Sequence, residues 1–262
     1  MKRRLRMCAL FVLALAGAAG LRAETFPYDH LHFGVPDPPK AVEWYLTNMG
    51  AKRGDSPDRV VIGRTIFAFT KSETAKPSTG SSVDHFGLSV ADVDAKMKAL
   101  EAAGGKVVSA PRDVPGLFKL GFIEDPWGAK IELVQDPETP GFHHIHLRVP
   151  DPEASLQWYI ANFGGERTKL KGRVDGVKYA NPAVWILAQK GDDATPSLGH
   201  AIDHLGWAVA DVDAKVAALA AKGEKTTEPR PVRHLRIAFV EGPGGVRIEM
   251  VQGRRDEELV GR

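Results

Sequence analysis

The stretch Ile202-Asp-His-Leu-Gly-Trp-Ala-Val-Ala-Asp211 presents a histidine, a valine five positions later and an aspartate seven positions later. The same frame recurs as His30 with Val35 and Asp37, His85 with Val90 and Asp92, and His144 with Val149 and Asp151. Each copy reads as a short strand ending near the valine, with the aspartate capping an amphipathic helix. In the second copy Val93, Met97 and Leu100 fall at helical spacing and Gly104-Gly105 stop the helix. Three strands are then expected, over 106–109, 118–125 and 129–135, with Asp125-Pro-Trp-Gly128 as the connecting turn. The fourth copy repeats this around Glu241-Gly-Pro-Gly-Gly245. The unit is therefore strand, helix and three strands, four times over.

The copies are nested in a duplication. Val90-Ala-Asp-Val-Asp-Ala-Lys96 recurs letter for letter at Val209 to Lys215, and the segment from His30, with Val-Pro-Asp-Pro at 35–38 and Trp44-Tyr45, recurs from His144, with Val-Pro-Asp-Pro at 149–152 and Trp158-Tyr159. Two halves follow, 24–138 and 139–254, each holding two modules, with a polar tail at 255–262. Residues 72–81 and 190–199, rich in Ser, Thr, Pro and Gly, are expected to join the modules within each half. The Trp-Tyr pairs fall at apolar helical positions and are expected in the core.

Residues 1–23 carry Lys2, Arg3, Arg4 and Arg6, an uncharged Leu- and Ala-rich run from Met7 to Gly20, and Leu21-Arg22-Ala23. That is the layout of a signal peptide, too short in its apolar run to span a bilayer, and a secreted or periplasmic protein is expected after cleavage near Ala23. Five of the 35 Lys and Arg residues lie there, so 30 remain against 33 acidic residues, a mature formal charge of −3. Such a balance gives no basic patch for nucleic acid and no reason for stable membrane association. The single cysteine, Cys8, is also in this segment. Disulfides, thiol catalysis and thiolate metal sites are thereby excluded from the mature chain.

Alternation along the first strands groups His30 with His32 and Gly34, His85 with Gly87 and Ser89, His144 with His146 and Arg148, and His204 with Gly206 and Ala208. The opposite face is greasy, so the histidine face is expected to line a cleft. On the last strands of the second and fourth modules, Glu132 and Glu249 sit between apolar neighbours, costly places for a carboxylate without a partner or a metal. Each half thus offers a triad: His30, His85 and Glu132 in the first, His144, His204 and Glu249 in the second. Two imidazoles and a carboxylate suit a divalent Fe, Mn, Ni, Co or Zn ion. His32, His146 and Arg148 are candidates for substrate contact, and His200 and His234 for acid–base catalysis. His143 is expected to point away from the cleft, in a structural or surface role.

The His-x4-Val-x-Asp starts and the Glu124-Asp-Pro-Trp-Gly-Ala-Lys-Ile-Glu132 ending resemble the vicinal oxygen chelate superfamily, which includes glyoxalase I, bleomycin-resistance proteins and extradiol dioxygenases. The resemblance covers nearly all of the mature chain. It implies an α+β fold in which four βαβββ modules form two tandem cupped half-barrels, with metal ligands on first and last strands. It also implies a small-molecule substrate that chelates the metal through vicinal oxygens, in a dioxygenase-like or a lyase/isomerase-like reaction, and is compatible with a homodimer. Two departures qualify it. Strands 65–69 and 183–187 lack the second carboxylate of glyoxalase I, and Phe122 and Phe239 stand where extradiol dioxygenases carry a tyrosine. A non-catalytic ligand-binding or sequestering protein of the bleomycin-resistance type is the alternative.

Overall fold

The computed structural model describes residues 24–260; the expected signal peptide lies outside them. The first module is β1 (Tyr28–Val35), α1 (Pro38–Asn48), β2 (Lys52–Arg53), β3 (Arg59–Ile62) and β4 (Thr65–Lys71). The second is β5 (Val83–Ser89), α2 (Val93–Ala102), β6 (Lys106–Asp113), β7 (Lys119–Glu124) and β8 (Lys130–Val134). The third is β9 (Gly141–Val149), α3 (Pro152–Phe163), β10 (Glu166–Leu170), β11 (Val174–Ala180) and β12 (Ala183–Lys190). The fourth is β13 (Ile202–Ala208), α4 (Val212–Ala220), β14 (Arg230–Val232), β15 (Leu235–Glu241) and β16 (Arg247–Gln252). The repeated aspartates start the helices. Asp37, Asp92, Asp151 and Asp211 each accept a hydrogen bond from the backbone N–H three residues on, at 2.9 to 3.1 Å. This satisfies one of the amides that a helix N-terminus leaves unpaired.

The strands form two eight-stranded sheets. One runs β14-β15-β16-β13-β1-β4-β3-β2, the other β10-β11-β12-β9-β5-β8-β7-β6. Two cups of two modules result, as expected, but the sharing of cups crosses the duplication: the first module pairs with the fourth, and the second with the third. At each seam two first strands run antiparallel, β1 against β13 and β5 against β9. The linkers at 72–81 and 190–199 run side by side, with Lys76 N to Gly199 O at 3.1 Å and Ser82 N to Thr195 O at 2.7 Å.

The apolar faces of the two sheets pack on each other. Phe67 of β4 stacks edge-on against Phe86 of β5 and Phe142 of β9, at centroid distances of 5.4 and 5.3 Å. Phe33 meets Phe86 in the same way at 5.9 Å. Trp207, fully buried, touches Tyr28, Tyr159, Phe163 and Tyr179. Tyr45 and Tyr159 are core residues, as the helical spacing required, and Trp44 and Trp158 pack at its margin. With the greasy faces together, the histidine faces are left to line the two cups. No helix among the described residues is long and apolar enough to cross a membrane.

Because β1 takes its seam partner from the other half, residues 24–138 expressed alone should not be a folded monomer. Sedimentation and urea titration of that fragment should find an unfolded chain or a dimer. A monomer with cooperative unfolding would contradict the crossed pairing.

Candidate metal centre

His30 and His204 bring their Nε2 atoms to 3.2 and 2.9 Å from Oε2 of Glu249. In the other cup, His85 and His144 bring theirs to 3.1 Å from Oε2 of Glu132. All six residues are buried. His32 joins the first cluster and His146 the second, with the candidate ligand atoms of each foursome within 4.8 Å of one another. The expected triads are thus regrouped. His30 joins His204 and Glu249, while His144 joins His85 and Glu132, because the seams join modules of different halves.

Close packing at the seams depends on two glycines. A Cβ on Gly206 would stand 2.1 Å from the His30 ring, and one on Gly87 would stand 2.2 Å from the His144 ring. The registers also locate the missing carboxylates. Glu249 pairs with Gly206 and Glu132 with Gly87, whereas the corresponding partners of His32 and His146 are Ala68 and Leu187. Each cup therefore has a single carboxylate and, where the other modules have glycine, an additional histidine.

Behind these histidines stands a second set of residues. Asp29 Oδ2 is 2.7 Å from His30 Nδ1, Asp84 Oδ1 is 2.7 Å from His85 Nδ1, and Asp203 Oδ1 is 2.6 Å from His204 Nδ1. Consecutive residues of a regular strand point to opposite faces, so this contact needs an irregularity. It is present each time: the pairing registers slip at Asp29, Asp84 and Asp203, and again at His143. A bulge sets two residues against one and lets neighbours share a side. Each aspartate is held in turn by a cation. Arg254 grips Asp29 through two 2.8 Å bonds, Lys130 reaches Asp84 at 2.8 Å and Arg247 reaches Asp203 at 2.8 Å. Carboxylate-backed imidazoles of this kind are what metal sites use to fix the tautomer and raise ligand basicity.

The electrostatics agree. Burial alone would raise Glu132 and Glu249, yet hydrogen bonds and charge from the flanking imidazoles hold both well below the usual carboxylate range. Burial would lower His30 and His85, but their aspartate and glutamate partners raise both. His144, with no aspartate behind it, is lowered by burial. Burial and the neighbouring imidazoles also push His32 and His146 well down, keeping them neutral. Asp29 is held at about 2, its burial outweighed by His30 and Arg254. The donor set of two imidazoles and one carboxylate in each cup, with a third imidazole beside it, fits a divalent first-row ion.

A cavity of about 360 Å³ opens off the Glu249 cluster. His32 and His200 line it, with Arg59 and Arg230 on its walls. His32 Nε2 is 2.5 Å from Thr70 Oγ1, and its Nδ1 has no hydrogen-bond partner. His200 Nε2 lies 3.2 Å from Thr195 Oγ1, and its buried Nδ1 is likewise unpartnered. Arg59 is mostly buried, loosely paired to Asp55 at 3.3 Å, with its Nε unpartnered. Arg230 forms no ion pair among the described residues and is exposed.

A model of the glyoxalase/bleomycin resistance protein/dioxygenase superfamily matches residues 28–133 and again 141–250. The chain belongs to this superfamily. Among curated relatives, a probable lactoylglutathione lyase of Arabidopsis thaliana is 36% identical over 98 residues, which cover 37% of this chain and 28% of that protein. A probable lactoylglutathione lyase of Synechocystis is 31% identical over 121 residues, covering 42% of this chain and 92% of that one. Among solved structures, a V278E mutant of glyoxalase I from Zea mays superposes with a TM-score of 0.70 at 23% identity, over 87% of this chain and 92% of that one. A putative dioxygenase from Bacillus subtilis superposes with a TM-score of 0.64 at 18% identity, over 88% and 86%. These two likenesses concern the fold alone.

Within the superfamily fold, the remaining expected residues divide. His200 lines the cavity, whereas His234 is engaged outside it, its Nε2 2.8 Å from Glu258 Oε1 in the C-terminal turn. Arg148 is bound to Asp193 at 2.6 Å near the linker. His143 is fully buried and stands behind His144, so its expected orientation away from the cleft is corrected; the bulge turns it inward. The aspartates at 29, 84 and 203 escaped the sequence reading. The signal was an Asp-His pair in three of the four frames.

Metal content per chain should show the crossed grouping. His30→Ala and Glu249→Gln should each remove the same ion, and His85→Ala and His144→Ala the other, as read by competition in the paired double variants. Loss of one shared ion on combining His30→Ala with His85→Ala would contradict it.

Stability should also depend on pH in a defined sense. His30 and His85 are raised on folding, so each holds its proton in the metal-free native state over a pH range where the unfolded chain has lost it, whereas the lowered His32, His143, His144 and His146 act in the opposite sense. The contribution of His30 and His85 is complete below about pH 6.5 and is lost as pH rises through the folded values. Ion binding needs neutral imidazoles and strengthens in the same direction. The Tm margin of chelator-treated wild type over a His30→Gln/His85→Gln variant should therefore narrow as pH rises from 6 to 8.5, while stabilisation by a saturating divalent ion grows over the same range; a margin that widens without metal would contradict the assignment.

Proposed function

We propose that the chain is an exported, metal-dependent enzyme that acts on a small anionic substrate in the Glu249 cup, by a lyase- or isomerase-like proton transfer. The observation that carries this is the convergence of His30, His204 and Glu249 beside a cavity walled by Arg59 and Arg230. A divalent ion held by these three residues would supply Lewis-acid polarisation to a pair of substrate oxygens. His32, neutral and with Nδ1 free, takes a proton from the carbon beside the polarised carbonyl, while Thr70 receives the Nε2 proton as a hydrogen bond and holds the ring. His200, which lines the same cavity, would return a proton. Arg59 and Arg230 receive the anionic end of the substrate.

Ring cleavage by oxygen is less well served. Phe122 and Phe239 stand edge-on to His85 and His204 at 5.2 and 5.3 Å and carry no proton to give. The names of the curated relatives support the lyase reading. The layout of residues 1–23 supports export. Both cups are complete within one chain, so neither needs a second copy. A single observation favours the alternative of a ligand-binding protein: Ala68 and Leu187 occupy the places where a second carboxylate would face each cup.

The test is formation of lactoylglutathione from methylglyoxal and glutathione by mature protein loaded in turn with Ni, Co, Zn, Mn and Fe(II). Turnover should drop on the order of 10²-fold or more in His32→Ala. Arg59→Gln should raise KM about 10-fold or more with little change in kcat. Metal-independent binding of the adduct without turnover would support the binding protein instead.

A further inference from the structure

The fourth ligand histidine is backed differently from the other three. At the bulge position where Asp29, Asp84 and Asp203 stand, β9 has His143, whose Nδ1 is 2.7 Å from Nδ1 of His144. His143 Nε2 is 3.2 Å from Asp136 Oδ2, and Asp136 is held by Lys171 at 2.9 Å. The carboxylate and its cation are thus both present, one residue further from the cup. Asp136, His143 and His144 are all buried, so each polar atom must find its partner within the row.

Proton bookkeeping along the row leaves one neutral arrangement that satisfies the contacts from Asp136 to His144. Asp136 can only accept, so His143 carries its proton on Nε2 and donates it there. Nδ1 of neutral His143 is then an acceptor, and His144 must donate from its own Nδ1. That turns the lone pair of His144 Nε2 toward Oε2 of Glu132, 3.1 Å away. Two acceptors face each other, and a cation between them resolves the clash. The same logic holds for the aspartate-backed histidines, with one difference: His144 leans on a neutral imidazole, not on an anion. Less charge is relayed to its Nε2, which makes it the poorer donor.

We infer that His143 is a positioning residue, and that it makes the Glu132 cluster the weaker of two separately loaded divalent-cation sites. The inference rests on the metal-centre reading given above. In the Glu249 cluster both ligand histidines are backed by carboxylates; in the Glu132 cluster only His85 is.

Equilibrium titration of metal-free mature protein with Co²⁺, followed by its visible absorption, tests this. Two steps are expected, the tighter abolished by Glu249→Gln and the weaker by Glu132→Gln. His143→Asp, which restores the pattern of the other three modules, should tighten the weaker step about 10- to 100-fold and leave the tighter one in place. Equal affinities in wild type, or a weaker step unmoved by His143→Asp, would overturn the inference while leaving the metal centres standing. No Co²⁺ uptake at all would overturn both. Imidazole ¹⁵N–¹H spectra of wild-type protein, Zn²⁺-loaded, supply a readout that survives if the variant fails to fold. His144 should be protonated at Nδ1 and His143 at Nε2; the reverse assignment for His143 would overturn the relay.

Discussion

A carboxylate buried in an apolar strand is the constraint on which this structure turns. Glu132 and Glu249 lie among isoleucine, leucine, methionine and valine on β8 and β16, where an unpaired charge would cost several kcal/mol even after relaxation. Each is made tolerable by two imidazoles, and each imidazole bonded to an aspartate is in turn bonded to one held by an arginine or lysine. The chain of partners runs from the cup to the rim without a break. Hydrogen-bond distances link the carboxylates, imidazoles and cations along it, so none of these buried groups stands alone.

Such an arrangement needs the backbone to depart from regular pairing at four places. Without the slips at Asp29, Asp84, His143 and Asp203, the residue before each candidate ligand histidine would point into the aromatic core. The bulges therefore serve burial and site construction together. Gly87 and Gly206 complete the construction by leaving room for an imidazole where any side chain would collide with it.

The duplication did not yield two equal copies. The first and third modules carry a second histidine, His32 and His146, and lack a carboxylate; the second and fourth carry glycine and glutamate. Pairing first with fourth and second with third gives each cup one of each kind. The surroundings then diverge. Arg59, Arg230 and His200 border the Glu249 cavity, whereas Phe118, Trp185 and Leu187 gather into an apolar cluster on the other side of the molecule, with Phe118 edge-on to His143.

Much of this was legible in residue order. The four His-x4-Val-x-Asp frames specified strands and caps because alternation and helix capping are local, and the two misfit glutamates marked the ligand strands because burial of charge is costly wherever the strand ends up. All six candidate ligands were visible for that reason. What order alone could not decide was which module would sit beside which. Both groupings satisfy the same alternation, and the choice is made by long-range contacts such as Phe67 on Phe86 and Phe142, and by linkers that lie side by side. Nor could it decide that His143 faces inward while His234 turns to Glu258, since a bulge is a property of two paired strands and a tail contact is a property of the closed cup.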